Sequence, residues 1–223
     1  MNLNRTFPLL FVISVLMSFS VRAELSIQIT QGIDNPIPIA VVPFSWEGSG
    51  VLDEDIGEIV TADLQQVGEF RALSPSNMLA LPREEREVYY RDWSVLAQDY
   101  LLVGKVQRAP GSELIQVQYE FFDINREIKL AGEVLTGTTS QLRDIGHEIS
   151  NVVFELVTGT RGAFTTQILY IVSEFVSPEV SYFRLEKADY DGRRAQVLLE
   201  SREPIMSPSW SPNGQDIAYV SFE

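Results

Sequence analysis

The sequence predicts an α/β domain, a mixed sheet with packed helices, followed by an antiparallel all-β segment. Three observations carry this. Before residue 162, apolar residues repeat with period two in some stretches and near 3.6 in others, the alternation that builds βαβ units. From Thr165 onward only period two remains. Beyond that point the turn signals Asp189-Tyr190-Asp191-Gly192 and Pro212-Asn213-Gly214 separate the apolar runs.

The chain opens with Met1 to Arg5 as a positive start, an apolar run over residues 7–19, and small residues Val21 and Ala23 flanking Arg22. This pattern predicts an export signal over residues 1–23, cleaved between Ala23 and Glu24. The rival is a membrane anchor, but the run falls short of the roughly 20 residues that span a bilayer. No cysteine follows, which rules out a lipid-anchored start. The expected product is an exported, periplasmic chain, soluble and associated with membranes only through partners. With no cysteine anywhere, its core must hold the fold without disulfides. The net charge of −14 repels phosphate backbones and argues against nucleic acid as a partner.

The expected domain, residues 24–162, starts with a half-buried strand, Glu24-Leu25-Ser26-Ile27-Gln28-Ile29-Thr30, with leucine and isoleucines on one face. After a Gly/Asn/Pro connector, Ile39-Ala40-Val41-Val42-Pro43-Phe44 is apolar on both sides and reads as an interior strand ending at Pro43. Residues 53–67 form a helix with Ile56, Ile59, Val60, Leu64 and Val67 as the buried stripe and Gly68 as the stop. Asp53, Glu54 and Asp55 lie in its first turn, where carboxylates suit unpaired amides. Cation binding is the alternative for that triplet, and capping the simpler one. A short strand at 70–73 precedes the break Ser74-Pro75-Ser76; residues 78–90 give no clear period. A short helix over 92–98 carries Trp93, Val95 and Leu96. Residues 100–106 are a strongly apolar strand, and Ile115, Val117, Tyr119 and Phe121 pair as a hairpin with Ile128, Leu130 and Val134. The longest helix spans 138–156, with Leu142, Ile145, Ile149, Val152, Val153 and Leu156 on one face and Gly159 as its stop.

The remainder, residues 163–223, holds strands at 167–172, 184–188 and 195–199, and closes on a hairpin. Trp210 lies just before the Pro212-Asn213-Gly214 turn, and Asp216-Ile217-Ala218-Tyr219-Val220-Ser221 is the last strand. Ser207-Pro208-Ser209-Trp210-Ser211-Pro212-Asn213-Gly214 with Ile217-Ala218-Tyr219 resembles the blade repeat of TolB-type β-propellers, with Asn213 where aspartate is usual. Both residues tolerate the left-handed region. Further motifs extend the likeness to the TolB family: Asp55-Ile56-Gly57-Glu58-Ile59-Val60-Thr61-Ala62-Asp63-Leu64, Gly146-His147, Val153-Phe154-Glu155, Gly162-Ala163-Phe164 and Asp189-Tyr190-Asp191-Gly192. The resemblance implies that 163–223 is the first blade of a propeller, six-bladed in the family. One blade leaves both sheet faces wet, so the chain is expected to be a piece of a longer reading frame. It also implies a periplasmic adaptor of the Tol–Pal system that contacts the inner-membrane protein TolA and the lipoprotein Pal, with other outer-membrane proteins as further candidates. Such an adaptor serves outer-membrane integrity and cell division, and the arm Glu24 to Thr30 corresponds to the TolA-contacting segment.

The residues themselves argue against catalysis and against cofactors. With one histidine and no cysteine, the usual zinc sites of His and Cys cannot be assembled, and no metal is expected. No phosphate-cradling loop or nucleophile elbow is present. His147 and Phe154 fall opposite the apolar stripe of the long helix, which makes them candidates for a contact surface between the two domains; a solvated His147 is the alternative. A serine peptidase or a small-ligand-binding propeller, its functional part beyond residue 223, is the competing function.

Overall fold

The computed structural model describes residues 35–177 and 180–222. The expected cleavage site at Ala23 and Glu24 and the arm at 24–30 lie outside these residues. The apolar run after Pro36 forms β1 (Ile37–Val41), which starts and stops two to three residues earlier than the sequence suggests. Proline explains the stop. Val42 still donates to Leu102 O at 2.9 Å, Pro43 has no N–H to give, and pairing resumes in β2 (Ser45–Glu47). Both strands run parallel to β4 (Tyr100–Arg108): β1 along Tyr100 to Leu102, β2 along Lys105 to Gln107. β2 is three residues long and carries no periodic signal, so only the pairing reveals it.

Between them and the rest of the sheet runs α1 (Ile56–Gln66). Asp55 is its N-cap, its Oδ1 accepting from Glu58 N at 3.1 Å. Asp53 and Glu54, expected inside the helix, precede it. Gly68, at φ 79°, turns the chain into β3 (Phe70–Ala72), which pairs parallel to β1 and completes a βαβ unit. Residues 73–89 contain two short 3-10 turns, at Pro75–Asn77 and Glu85–Glu87, and α2 (Tyr90–Val95) follows. β4 then enters an antiparallel meander with β5 (Ile115–Asp123) and β6 (Ile128–Gly137). The strand order is β3-β1-β4-β5-β6.

The sheet is covered on both faces, which is why β1 and β4 read as unbroken apolar runs. Ile39, Val41, Leu102, Val106, Ile115, Val117, Tyr119 and Phe121 pack beneath α1 and α3 (Leu142–Thr158). Ala40, Val42, Leu101, Val103, Phe122 and Ile124 pack around Trp93 of α2. Gly104 of β4 has no side chain because Phe44 lies there: a Cβ would sit 2.2 Å from its ring. α3 begins after a capping box of Thr138 and Gln141 and ends at Gly159, φ 72°, as the sequence predicts.

Beyond α3 come β7 (Gln167–Ser177), β8 (Val180–Asp189) and β9 (Gln196–Ser201), an antiparallel meander. β10 (Ile205–Trp210) and β11 (Ile217–Ser221) form a separate hairpin. Its turn is closed by Ser211 N to Asp216 O at 2.9 Å, with Gly214 at φ 69° and Asn213 Oδ1 accepting from Gln215 N at 3.1 Å. The two domain types predicted from the sequence are present: a mixed sheet with helices, then antiparallel sheets of a partial propeller. Among the described residues no helix is long and apolar enough to cross a membrane.

Candidate functional site at the junction of sheet and helices

α3 packs against α1, and Gly146 leaves room for it: a Cβ there would meet Ile59 Cγ2 at 2.8 Å. The stripe residues Leu142, Ile145, Ile149 and Val153 face the core, but Leu156, assigned to that stripe, is 46% exposed. The outward-facing residues differ more from expectation. His147 is only 2% exposed and therefore not solvated, and Phe154, at 9%, sits in the same apolar core as the stripe rather than off it. The helical angle assumes a single buried face. α3 is instead enclosed on two sides, by α1 and the sheet and by residues beyond 162.

Each of the two residues bridges those sides. His147 Nδ1 is 2.7 Å from Asp63 Oδ2 of α1, and its ring meets that of Tyr190 edge-on, centroids 5.9 Å apart. Phe154 packs on Phe70 of β3 at 6.1 Å and edge-on to Phe164 at 5.6 Å; Phe164 in turn lies 5.3 Å from Tyr190. The result is a continuous row of rings from the sheet edge to the β8–β9 turn. Tyr190 also donates to Gln66 Oε1 at 3.3 Å. Burial first, and the nearby Asp63 charge second, push its hydroxyl pKa far above the ordinary value.

Next to the rings is a set of charges that the sequence did not single out. Arg143, 6% exposed, places Nη1 3.5 Å from Glu54 Oε2 and Nε 3.5 Å from Asp189 Oδ2, and its Nη2 bonds Asp191 Oδ2. Arg194, at φ 52°, bonds Asp189 Oδ2 through Nε at 2.6 Å and also bonds Asp144. Hydrogen bonds to Asp144 and then Asp189 hold the Arg194 guanidinium above its usual range. A buried guanidinium is tolerated only when carboxylates offset its charge, and here both acids of the Asp-Tyr-Asp-Gly motif do so, Asp191 by a hydrogen bond and Asp189 by an ion pair without hydrogen-bond geometry. Arg143 left no signal in the sequence except as a charge in an apolar helix face.

Asp63, His147 and Asp191 each offer a ligand atom, all within 4.8 Å of one another, a composition compatible with a divalent cation. Their atoms are largely committed already. Asp191 gives one oxygen to Arg143 and the other to Arg193 N at 3.0 Å, and Asp63 holds His147. Among the described residues His147 Nε2 has no hydrogen-bond partner. Ser150, a buried hydroxyl one turn along α3 from His147, donates to Gly146 O at 3.0 Å and not to the dyad. These contacts join α1, α3 and the turn after β8, segments far apart in the sequence.

Comparisons with known proteins agree with this architecture. A family profile described as the TolB amino-terminal domain matches residues 25–130, and one described as the TolB beta propeller domain matches residues 154–223. A protein named Tol-Pal system protein TolB from Hahella chejuensis is 44% identical over 213 residues, covering 96% of this chain and 49% of that protein. One of the same name from Pseudomonas aeruginosa is 44% identical over 208 residues, 93% of this chain and 48% of its own. The crystal structure of TolB from Acinetobacter baumannii superposes with a TM-score of 0.74 at 30% identity, covering 85% of this chain and 45% of that one. The chain thus spans about half the length of the curated relatives it matches. With both domain profiles in order along it and a shared fold over most of its length, the chain belongs to the TolB family.

Proposed function

We propose that this chain acts as a non-enzymatic periplasmic adaptor of the Tol–Pal system, linking TolA at the inner membrane to Pal at the outer membrane, in support of outer-membrane integrity and division. The observation that carries this is the kinship with proteins named for that system over nearly the whole chain. The junction supports it, because its only histidine is consumed by a buried structural pair and offers no reactive group to a substrate. In this proposal the export signal is cleaved after Ala23, His147 and Phe154 hold the two domains together, and no cofactor or metal takes part. The freed segment Glu24 to Thr30 adds as a strand to a sheet of TolA, with Leu25, Ile27 and Ile29 as its specificity side chains.

Deleting residues 24–30 while keeping the cleavage site tests this. The truncated protein is expected to keep its fold by circular dichroism and its capture by Pal, and to lose capture by TolA. Undiminished pull-down of TolA would remove the arm from the mechanism.

A further inference from the structure

We propose that the turn between β8 and β9, residues 189–194, is a latch that fixes the orientation of the first blade on the α/β domain, with Arg143 as the positioning residue that closes it. This does not rest on the adaptor function.

Covalently, the blade is tied to α3 only through residues 159–166. The end of that linker is held to α3 by Asn151, whose Oδ1 accepts from Phe164 N at 3.0 Å and whose Nδ2 donates to Thr165 Oγ1 at 3.1 Å. A single attachment leaves a rigid body free to rotate about it. The latch supplies a second one. Arg143 lies eight residues before Asn151 on the same helix, about 12 Å away along its axis. There it gathers Asp189 and Asp191 of the turn and Glu54 of the segment leading into α1. Tyr190, between the two acids, fills the space beside His147 and Phe164, and its N–H donates to Thr166 O at 3.0 Å. The turn is therefore bonded to the linker as well as to α3.

Closure depends on Arg143 in particular. Asp189 is 8% and Asp191 14% exposed at their side chains, so without the guanidinium Asp191 would keep only the Arg193 N–H and Asp189 only Arg194, with Glu54 nearby. Arg194 still bonds Asp189 but reaches it from the turn itself, and its other partner, Asp144, is half-exposed. Arg194 thus stiffens the turn and adds an ion pair to Asp144 of α3, but that pair is about half-exposed and screened by water, so the buried Arg143 carries most of the docking.

The test is hydrogen exchange of Arg143→Gln in the full-length protein, read at Tyr190, Gly192 and residues 159–166, with β4 and β5 as internal reference. Breaking a buried pair of this kind should accelerate exchange at the turn and linker on the order of a hundredfold, with β4 and β5 unchanged. Adding Asp191→Asn to Arg143→Gln removes the charge that has lost its guanidinium and should restore part of the protection. Unchanged exchange at the turn overturns the proposal. So does equal loss of protection in β4 and β5, which would make Arg143 a residue of the domain's fold, and so does a second substitution that restores nothing.

Discussion

Replacing Phe154 by alanine separates two accounts of the junction. If the ring only joined two independent domains, its loss would loosen them and leave each one folded. The structure gives it more than that role: besides meeting Phe164 it packs on Phe70 of β3, inside the core that contains Ile149 and Val153. Removing a buried phenylalanine costs about 3–5 kcal/mol, and its two ring contacts put this site near 4. That is a large fraction of the roughly 5–15 kcal/mol that holds a domain folded. The midpoint of thermal unfolding should fall by about 8–16 °C. A thermal melt followed by circular dichroism measures that shift and urea unfolding the free energy, with the α/β domain's transition moving to lower denaturant at nearly constant slope. A loss below about 1 kcal/mol would show that Phe154 is a surface contact, and the reasoning from the ring row would fail.

Two further outcomes follow from the packing. Gly104→Ala should destabilise by about 1–3 kcal/mol, because its Cβ would overlap the Phe44 ring and a central strand cannot shift; a midpoint equal to the parent's would show that the ring moves aside freely. Tyr119 is pushed up to about 12 by burial and Tyr190 is raised as well, so both stay neutral in the folded protein where an unfolded chain ionises near pH 10. Their contribution is fully present below pH 10 and is lost as pH rises through the folded values, so stability should decline above pH 10. Ultraviolet titration should show these two phenolates appearing only with unfolding, and an early, fully reversible titration of all tyrosines would contradict this.

The sequence by itself determined the elements whose side chains repeat along one chain. β5 and the core stripe of α3 were legible because alternating or one-sided burial imposes period two or 3.6, β4 because its unbroken apolar run marks burial on both faces, and the turns at Gly68, Gly159 and Gly214 because φ near 70–80° excludes most other residues. The two-sided burial of β1 was equally readable from its unbroken apolar run. The tertiary structure alone decided what depends on which segments meet. β2 exists because Pro43 interrupts pairing and β4 continues past it, a fact no local period records. His147 and Phe154 lie opposite the stripe of α3, and a helical angle reports only that they differ from it. Whether that second face meets water or protein is set by Tyr190 and Phe164, which arrive from beyond the helix. Arg143 is the clearest case: as a lone charge it is indistinguishable from a solvated one, and only the return of Asp189 and Asp191, more than forty residues later, gives its guanidinium a reason to be buried.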